Sequence, residues 1–142
     1  KNINKNLDFV SKKMKVDRKK LILMHQTHSN KAIIINYKNN YLLKFKSDAI
    51  ITNIKGIALG VVTADCVPII LFDKKNQIIG CIHAGWKGAV SGIIENTVKK
   101  FKRLSTRNKI YAAVAPCIGH RGYEVDIPVD AKFISKERWS VG

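Results

Sequence analysis

Apolar positions near the start of the chain repeat at helical steps. Leu7, Val10 and Met14, with Phe9 beside them, predict a short amphipathic helix over 6–15. The pattern then changes to short apolar runs at close spacing: Leu21–Met24, Ala32–Ile35, Tyr41–Phe45 and Ala49–Ile51. These predict strands, with Asn39-Asn40 as a hairpin turn between two of them. Gly56–Thr63 and Val67–Phe72 are β-branched and nearly continuous, the pattern of buried strands. Gln77–His83 follows as a further strand after the polar turn Asp73–Asn76. Val90, Ile94, Val98, Phe101 and Leu104 recur at steps of three and four and predict a helix over 89–104. Lys99, Lys100, Lys102 and Arg103 fall in its last turns, where cations suit the helix dipole. Ile110–Ala115 predicts another buried strand, and after Pro128 the pattern weakens. Many strands and few helices give an α+β class, with mixed β-sheets packed with helices in a single domain over 1–142. The order does not alternate as βαβαβ, which argues against a Rossmann fold, and the chain has neither GxGxxG nor GxxxxGK[ST].

Composition narrows the class. A length of 142 residues suits one domain. Hydrophobic residues at 46% and charged residues at 25% are ordinary globular values, which excludes a disordered tail, a collagen repeat and a cysteine-rich mini-protein. No run of about 18 apolar residues and no apolar leader is visible, so a cytoplasmic protein without a membrane partner is expected. The net charge of +16 invites a nucleic-acid partner, but 21 of the 26 basic residues are Lys, scattered along the chain. Lys, Ile and Asn together make 52 of the 142 residues, the bias of an AT-rich coding sequence. Lys is a solvated point charge, whereas Arg is the planar fork that reads phosphates and bases. The expectation is no specific nucleic-acid partner, only weak salt-sensitive association. Three cysteines, Cys66, Cys81 and Cys117, form no CxxC pair and suit a reducing compartment. Each is then a core residue, a ligand or a nucleophile.

Candidate chemistry gathers at the edges of the predicted strands. The segments are His25-Gln26-Thr27-His28, Thr63-Ala64-Asp65-Cys66, His83-Ala84-Gly85-Trp86-Lys87-Gly88, and Ala115–Gly119 followed by Tyr123-Glu124-Val125. Gly85 and Gly88 allow close backbone approach to a ligand, and with Lys87 and the following helix N-terminus they suggest a phosphate contact. The plain alternative is a strand–turn–helix connection with a buried Trp86. His28, Cys66 and His83 supply three ligands of a tetrahedral zinc site, leaving the fourth position open, which is the catalytic arrangement. His25 competes with His28 as a ligand, Cys81 reads as a core residue between Ile79, Gly80 and Ile82, and His120 is a further candidate. Copper(II) can occupy the same ligand set as zinc.

These segments resemble the laccase-domain, or multicopper polyphenol oxidase-like, family. Its members are also described as purine nucleoside phosphorylases with adenosine deaminase activity, and bacterial members carry the name peptidoglycan editing factor. The family's QxHG corresponds to Gln26-Thr27-His28-Ser29, its DAxxT to Asp48-Ala49-Ile50-Ile51-Thr52, and TADCxP is intact at 63–68. HAGWRG appears at 83–88 with Lys87 for Arg, and GPxIG…YEV corresponds to Ala115–Gly119 and Tyr123–Val125. Ser29 stands for the family's Gly, and Gly122 where many members have Cys before the Tyr. The resemblance runs from about residue 6 to 130 and lacks the family's Gly-rich N-terminal segment and its C-terminal part, which reads as an incomplete domain.

The resemblance implies zinc at His28, Cys66 and His83, and phosphate attack on the ribose carbon of adenosine, inosine or methylthioadenosine. The products are the free base and ribose 1-phosphate, and water attack on adenine gives deamination. Asp65, next to Cys66, is the candidate base or orienting group. The zinc deaminase signature HxE with PCxxC is absent, so deamination needs a different constellation. A multicopper oxidase needs many histidines, and this chain has four. The rival readings are a metal-independent cysteine hydrolase or amidase acting on a peptidoglycan precursor, with Cys66 as nucleophile, His83 as base and Asp65 as orienting group, and an inactive truncated remnant.

Overall fold

The computed structural model describes residues 2–36, 45–106, 108–119 and 122. Its elements are helix α1 (Asn2–Lys13), strands β1 (Leu21–His25), β2 (Ala32–Ile35), β3 (Phe45–Lys46), β4 (Ala49–Thr52), β5 (Ala58–Gly60), β6 (Val67–Asp73) and β7 (Ile78–Ala84), helices α2 (Trp86–Val90) and α3 (Ile93–Leu104), and strand β8 (Tyr111–Val114). The class is α+β, as the apolar pattern predicts. Five strands form a mixed sheet in the order β2-β4-β7-β6-β8, and three form a second sheet in the order β3-β1-β5. Within the larger sheet β2 and β4 run parallel, and β4–β7, β6–β7 and β6–β8 are antiparallel.

Strand alternation divides the side chains of the large sheet between two apolar layers. Ala32, Ala49, Ile51, Ile69, Leu71, Ile78 and Ile82 face α3, which closes that layer with Ile93 and Phe101. Ile35, Ile50 and Cys81 face the other way and meet Ile22, Ile54 and Ile57 from the region of the small sheet. The second layer covers only part of the large sheet. Ile70 and Phe72 of β6 and Tyr111 of β8 lie on its uncovered part, with the Phe72 and Tyr111 rings stacked at 4.9 Å.

That partial cover corrects two strand expectations. Val67–Phe72 is not buried on both faces, because Ile70 and Phe72 are exposed. Tyr111–Val114 is an exposed edge strand rather than a buried one, because among the described residues it pairs only with β6. The Gly56–Thr63 run contributes only the three-residue strand β5. The first helix begins earlier than its apolar stripe suggests, Phe9 and Val10 remain exposed on it, and Met14 is exposed in the turn that follows. The Asn39-Asn40 turn lies outside the described residues. Of Tyr41–Phe45 only Phe45 is described, and β3 pairs with β1 in the small sheet.

The predicted helix over 89–104 is two helices. Gly92 adopts φ 88°, a left-handed conformation that glycine takes without a Cβ clash, and it breaks the run between α2 and α3. α2 is therefore a single five-residue turn held against the end of β7. At the opposite end of β7, the Asp73–Asn76 turn is pinned by Asp73. Its carboxylate accepts from the Lys75 and Asn76 amides at 2.8 and 3.0 Å and from the Ser105 hydroxyl just beyond α3.

Candidate metal centre

Three chain segments meet at the ends of β1, β6 and β7. The 26–29 turn follows β1 and carries His28, the 61–66 loop precedes β6 and carries Cys66, and His83 lies near the end of β7. The ligand atoms of His28, Cys66 and His83 all lie within 4.8 Å of one another, with Cys66 Sγ 3.8 Å from His28 Nε2. The two imidazoles meet edge to face at 4.8 Å. Donors around a tetrahedral zinc stand about 3.3–3.7 Å apart, from bond lengths of about 2.0–2.1 Å to nitrogen and 2.3 Å to sulfur. The cluster is slightly wider than that, within the reach of small side-chain rotations. His28 is exposed, Cys66 half-buried and His83 buried, so the trio forms one wall of an open groove of about 480 Å³.

Asp48 organises this corner. The sequence presents it as one acid opening the apolar run Asp48-Ala49-Ile50-Ile51, outside the candidate ligand set. The available signal was the cost of burying a carboxylate in such a strand without donors. Its side chain is fully buried and accepts from the backbone amides of Thr27, His28 and Ser29, the last two at 3.0 and 2.8 Å, and from the Ser29 hydroxyl at 2.7 Å. The Ser29 hydroxyl thus gives the family's Gly-to-Ser departure a physical role. Asp48 Oδ1 also lies 2.8 Å from His83 Nδ1. His28 holds φ 57°, which the convergence of three amides on one carboxylate supports.

The 61–66 loop is tied on both sides. The Gln26 side chain donates to the Val62 carbonyl and accepts from the Val62 amide, at 2.7 and 2.8 Å. The Ile118 amide donates to the Asp65 carbonyl at 3.1 Å. Gly85 is required by close approach, since a Cβ there would stand 2.5 Å from His28 Cδ2 and 3.1 Å from Cys66 Sγ. Gly88 packs likewise beneath the Ser29 carbonyl. Both glycines therefore serve packing of the 28–29 turn. Lys87, expected as a phosphate contact, is exposed on α2. Lys87 Nζ lies 5.5 Å from the Trp86 ring centroid, the side chain is not among those lining the groove, and the helix that contains it is one short turn.

Asp65 is exposed on the groove wall, as is His25, which stands outside the ligand cluster. Cys81 is a core residue whose thiol burial pushes up to about 12. Cys117 is exposed, and His120 lies outside the described residues. Burial, then the charges of Asp65 and Asp48, push the Cys66 thiol up. These surroundings favour the neutral thiol, the reverse of what a metal-free cysteine nucleophile needs. A thiol that coordinates a metal is deprotonated by the ion itself.

Burial pushes Asp48 up, but hydrogen bonds from His83, Ser29 and Thr27 outweigh it and bring its pKa from the ordinary 3.8 to about 2. Asp73 is likewise held at about 2, chiefly by Ser105. Both folded values are depressed, so the stability they contribute is fully present above the ordinary carboxylate range and is lost as pH falls towards 2. The urea midpoint of the metal-free protein is expected to hold steady above about pH 4 and to fall steeply from there to about pH 2. A midpoint that does not change over this range would contradict the assignment of both carboxylates.

The family described as multi-copper polyphenol oxidoreductase laccase matches residues 1–141. A purine nucleoside phosphorylase of Rickettsia conorii is 37% identical over 117 residues, covering 82% of this chain and 48% of that protein. A protein named adenosine deaminase from an unknown prokaryotic organism is 36% identical over 118 residues, covering 78% and 45%. The crystal structure of a Bacillus licheniformis hypothetical protein, YfiH, superposes with a TM-score of 0.86 at 26% identity, over 96% of this chain and 54% of that one. The chain thus spans about half the length of the curated relatives it matches. No described helix is long and apolar enough to cross a membrane.

Proposed function

From the premise that the chain belongs to the multi-copper polyphenol oxidoreductase laccase family, we propose that it is a zinc-dependent purine nucleoside phosphorylase with a secondary adenosine deaminase activity. The observation that carries this reading is the convergence of His28, Cys66 and His83 on an open groove, with the buried Asp48 behind them. The relatives named for phosphorolysis and deamination supply the substrate class. Substrates are adenosine, inosine and methylthioadenosine, with phosphate as the second reactant. Residues 1–142 form a single, incomplete domain of this kind, about half the length of the relatives.

Zinc would be held by His28, Cys66 and His83, and copper would be the competing occupant of the same site. When bound there, zinc would supply a Lewis acid. The chain's own groups do the rest. Asp48 keeps His83 oriented through Nδ1, Met24 and Val62 give the groove an apolar wall against which a purine can lie, and Asp65 offers a carboxylate at the rim to orient or accept a proton. In phosphorolysis an oxygen of hydrogen phosphate bonds to the ribose C1′ as the C1′–N9 bond breaks, and the proton that the phosphate gives up, directly or by way of the Asp65 carboxylate, ends on the nitrogen of the leaving base. The products are the free base and ribose 1-phosphate.

The test is release of hypoxanthine from inosine by the zinc-loaded chain, with and without phosphate, before and after chelation. The expected result is release that requires phosphate, stops on chelation and returns with zinc. Folded, zinc-loaded protein that releases no base, or base release that survives complete metal removal, would overturn the reading.

A further inference from the structure

Asp48 is the most heavily hydrogen-bonded side chain at the centre, and it touches two of the three segments that build it. Its carboxylate accepts from three consecutive backbone amides of the 27–29 turn and from the Ser29 hydroxyl. It also faces His83 Nδ1 at 2.8 Å, while its own carbonyl accepts from the His83 amide at 2.7 Å. A carboxylate has no proton to donate, so the proton in the contact with His83 sits on Nδ1. That leaves His83 Nε2 as the nitrogen with a free lone pair. On the other side, the amide contacts fix the backbone on which His28 turns its Nε2 towards Cys66.

We propose that Asp48 is the positioning residue of the metal centre, a single buried carboxylate that sets the tautomer of His83 and the backbone of the His28 turn together. It touches neither substrate nor the ligand atoms themselves. A carboxylate behind a histidine ligand is a recurrent way of fixing ring orientation and raising ligand basicity. Here the same group also anchors the second histidine's turn, so one substitution reaches two ligands. This inference rests on the proposed metal site, but part of its test does not.

The test uses Asp48→Asn, nearly the same shape, with Asp48→Glu as a second variant that keeps the charge. In Asp48→Asn one end of the side chain becomes an NH2, which must face either the 27–29 amides or His83. Two readouts are taken. Nitrogen-15 NMR of the metal-free protein is expected to show His83 protonated on Nδ1 in the wild type and a mixture of tautomers in Asp48→Asn. Zinc affinity, from competition with a chelator, is expected to fall about 10–100-fold in Asp48→Asn. Far-ultraviolet circular dichroism confirms that the variant compared is folded. If Asp48→Asn does not fold, Asp48→Glu replaces it in the zinc competition, where the displaced carboxylate is expected to weaken binding in the same direction. A wild-type His83 protonated on Nε2, or a folded variant with unchanged zinc affinity, would overturn the proposal. If the wild-type chain binds no zinc, the proposed function fails while the tautomer measurement still decides the role of Asp48.

Discussion

Cys66→Ala is expected to lower zinc affinity about a hundred- to a thousandfold while leaving the unfolding midpoint of the metal-free protein nearly unchanged. Apparent binding free energies of about 10–16 kcal/mol for four-ligand zinc sites correspond to roughly 2.5–4 kcal/mol per ligand, and each 1.4 kcal/mol is about tenfold. Cys66 supplies the only anionic ligand of the three, so its loss belongs at the upper end. The fold should tolerate the change because the loop is held by other groups, through the Gln26 clamp on Val62 and the Ile118 amide on the Asp65 carbonyl. Cys66 is also only half-buried, so a missing sulfur leaves little cavity. Calorimetric titration with zinc on both proteins, beside urea unfolding of the metal-free forms, reads the two quantities separately. A Cys66→Ala protein that binds zinc as tightly as the wild type would place the metal elsewhere. A large fall in stability with unchanged zinc affinity on the folded fraction would make Cys66 a core cysteine.

What the sequence made legible follows from how local each signal is. Helix α3 and strands β4, β6 and β7 are written in the spacing of their own apolar residues, so their positions could be read directly. The break at Gly92 is hidden in the sequence because the apolar steps continue across it, while a left-handed residue interrupts the backbone without disturbing that count. The exposure of β8 is hidden for a different reason. Its residues are apolar, but burial depends on what is stacked against a sheet face, and a strand's own sequence does not record that. At the site, His28, Cys66 and His83 could be grouped because ligand chemistry restricts them to a few residue types and the family motifs carry the same three. Asp48 escaped because its importance lies in donors from residues 27–29 and 83, which only the folded chain brings together. Gly85 marks a place of close approach in the sequence, but what approaches is His28 and Cys66 of the same chain.

Phe101→Ala is expected to cost about 3–5 kcal/mol of folding stability, the usual range for a fully buried phenylalanine. Against a total of about 5–15 kcal/mol for a domain, that is a large share. Phe101 is completely buried and lies over Gly80 of β7, where a Cβ on that glycine would stand 3.4 Å from two ring carbons. The glycine has no side chain to fill the space vacated by the ring, which favours the upper part of the range. The same geometry predicts coupling between the two positions. Gly80→Ala alone crowds the ring, and it also meets the Ile50 carbonyl at 3.4 Å. In the Phe101→Ala background the added methyl group enters vacant space instead. The double variant should therefore be more stable than the sum of the two single changes predicts, by about 0.5 kcal/mol or more. Urea unfolding of the four proteins measures this cycle. Strict additivity would mean that α3 moves onto the sheet and closes the cavity without help. Zinc affinity of the folded double variant carries the argument to the site, because β7 joins Gly80 to His83 and Asp48 holds His83 at both its amide and its Nδ1. Wild-type affinity there would mean that the Asp48 anchor, rather than packing under β7, fixes the position of the histidine.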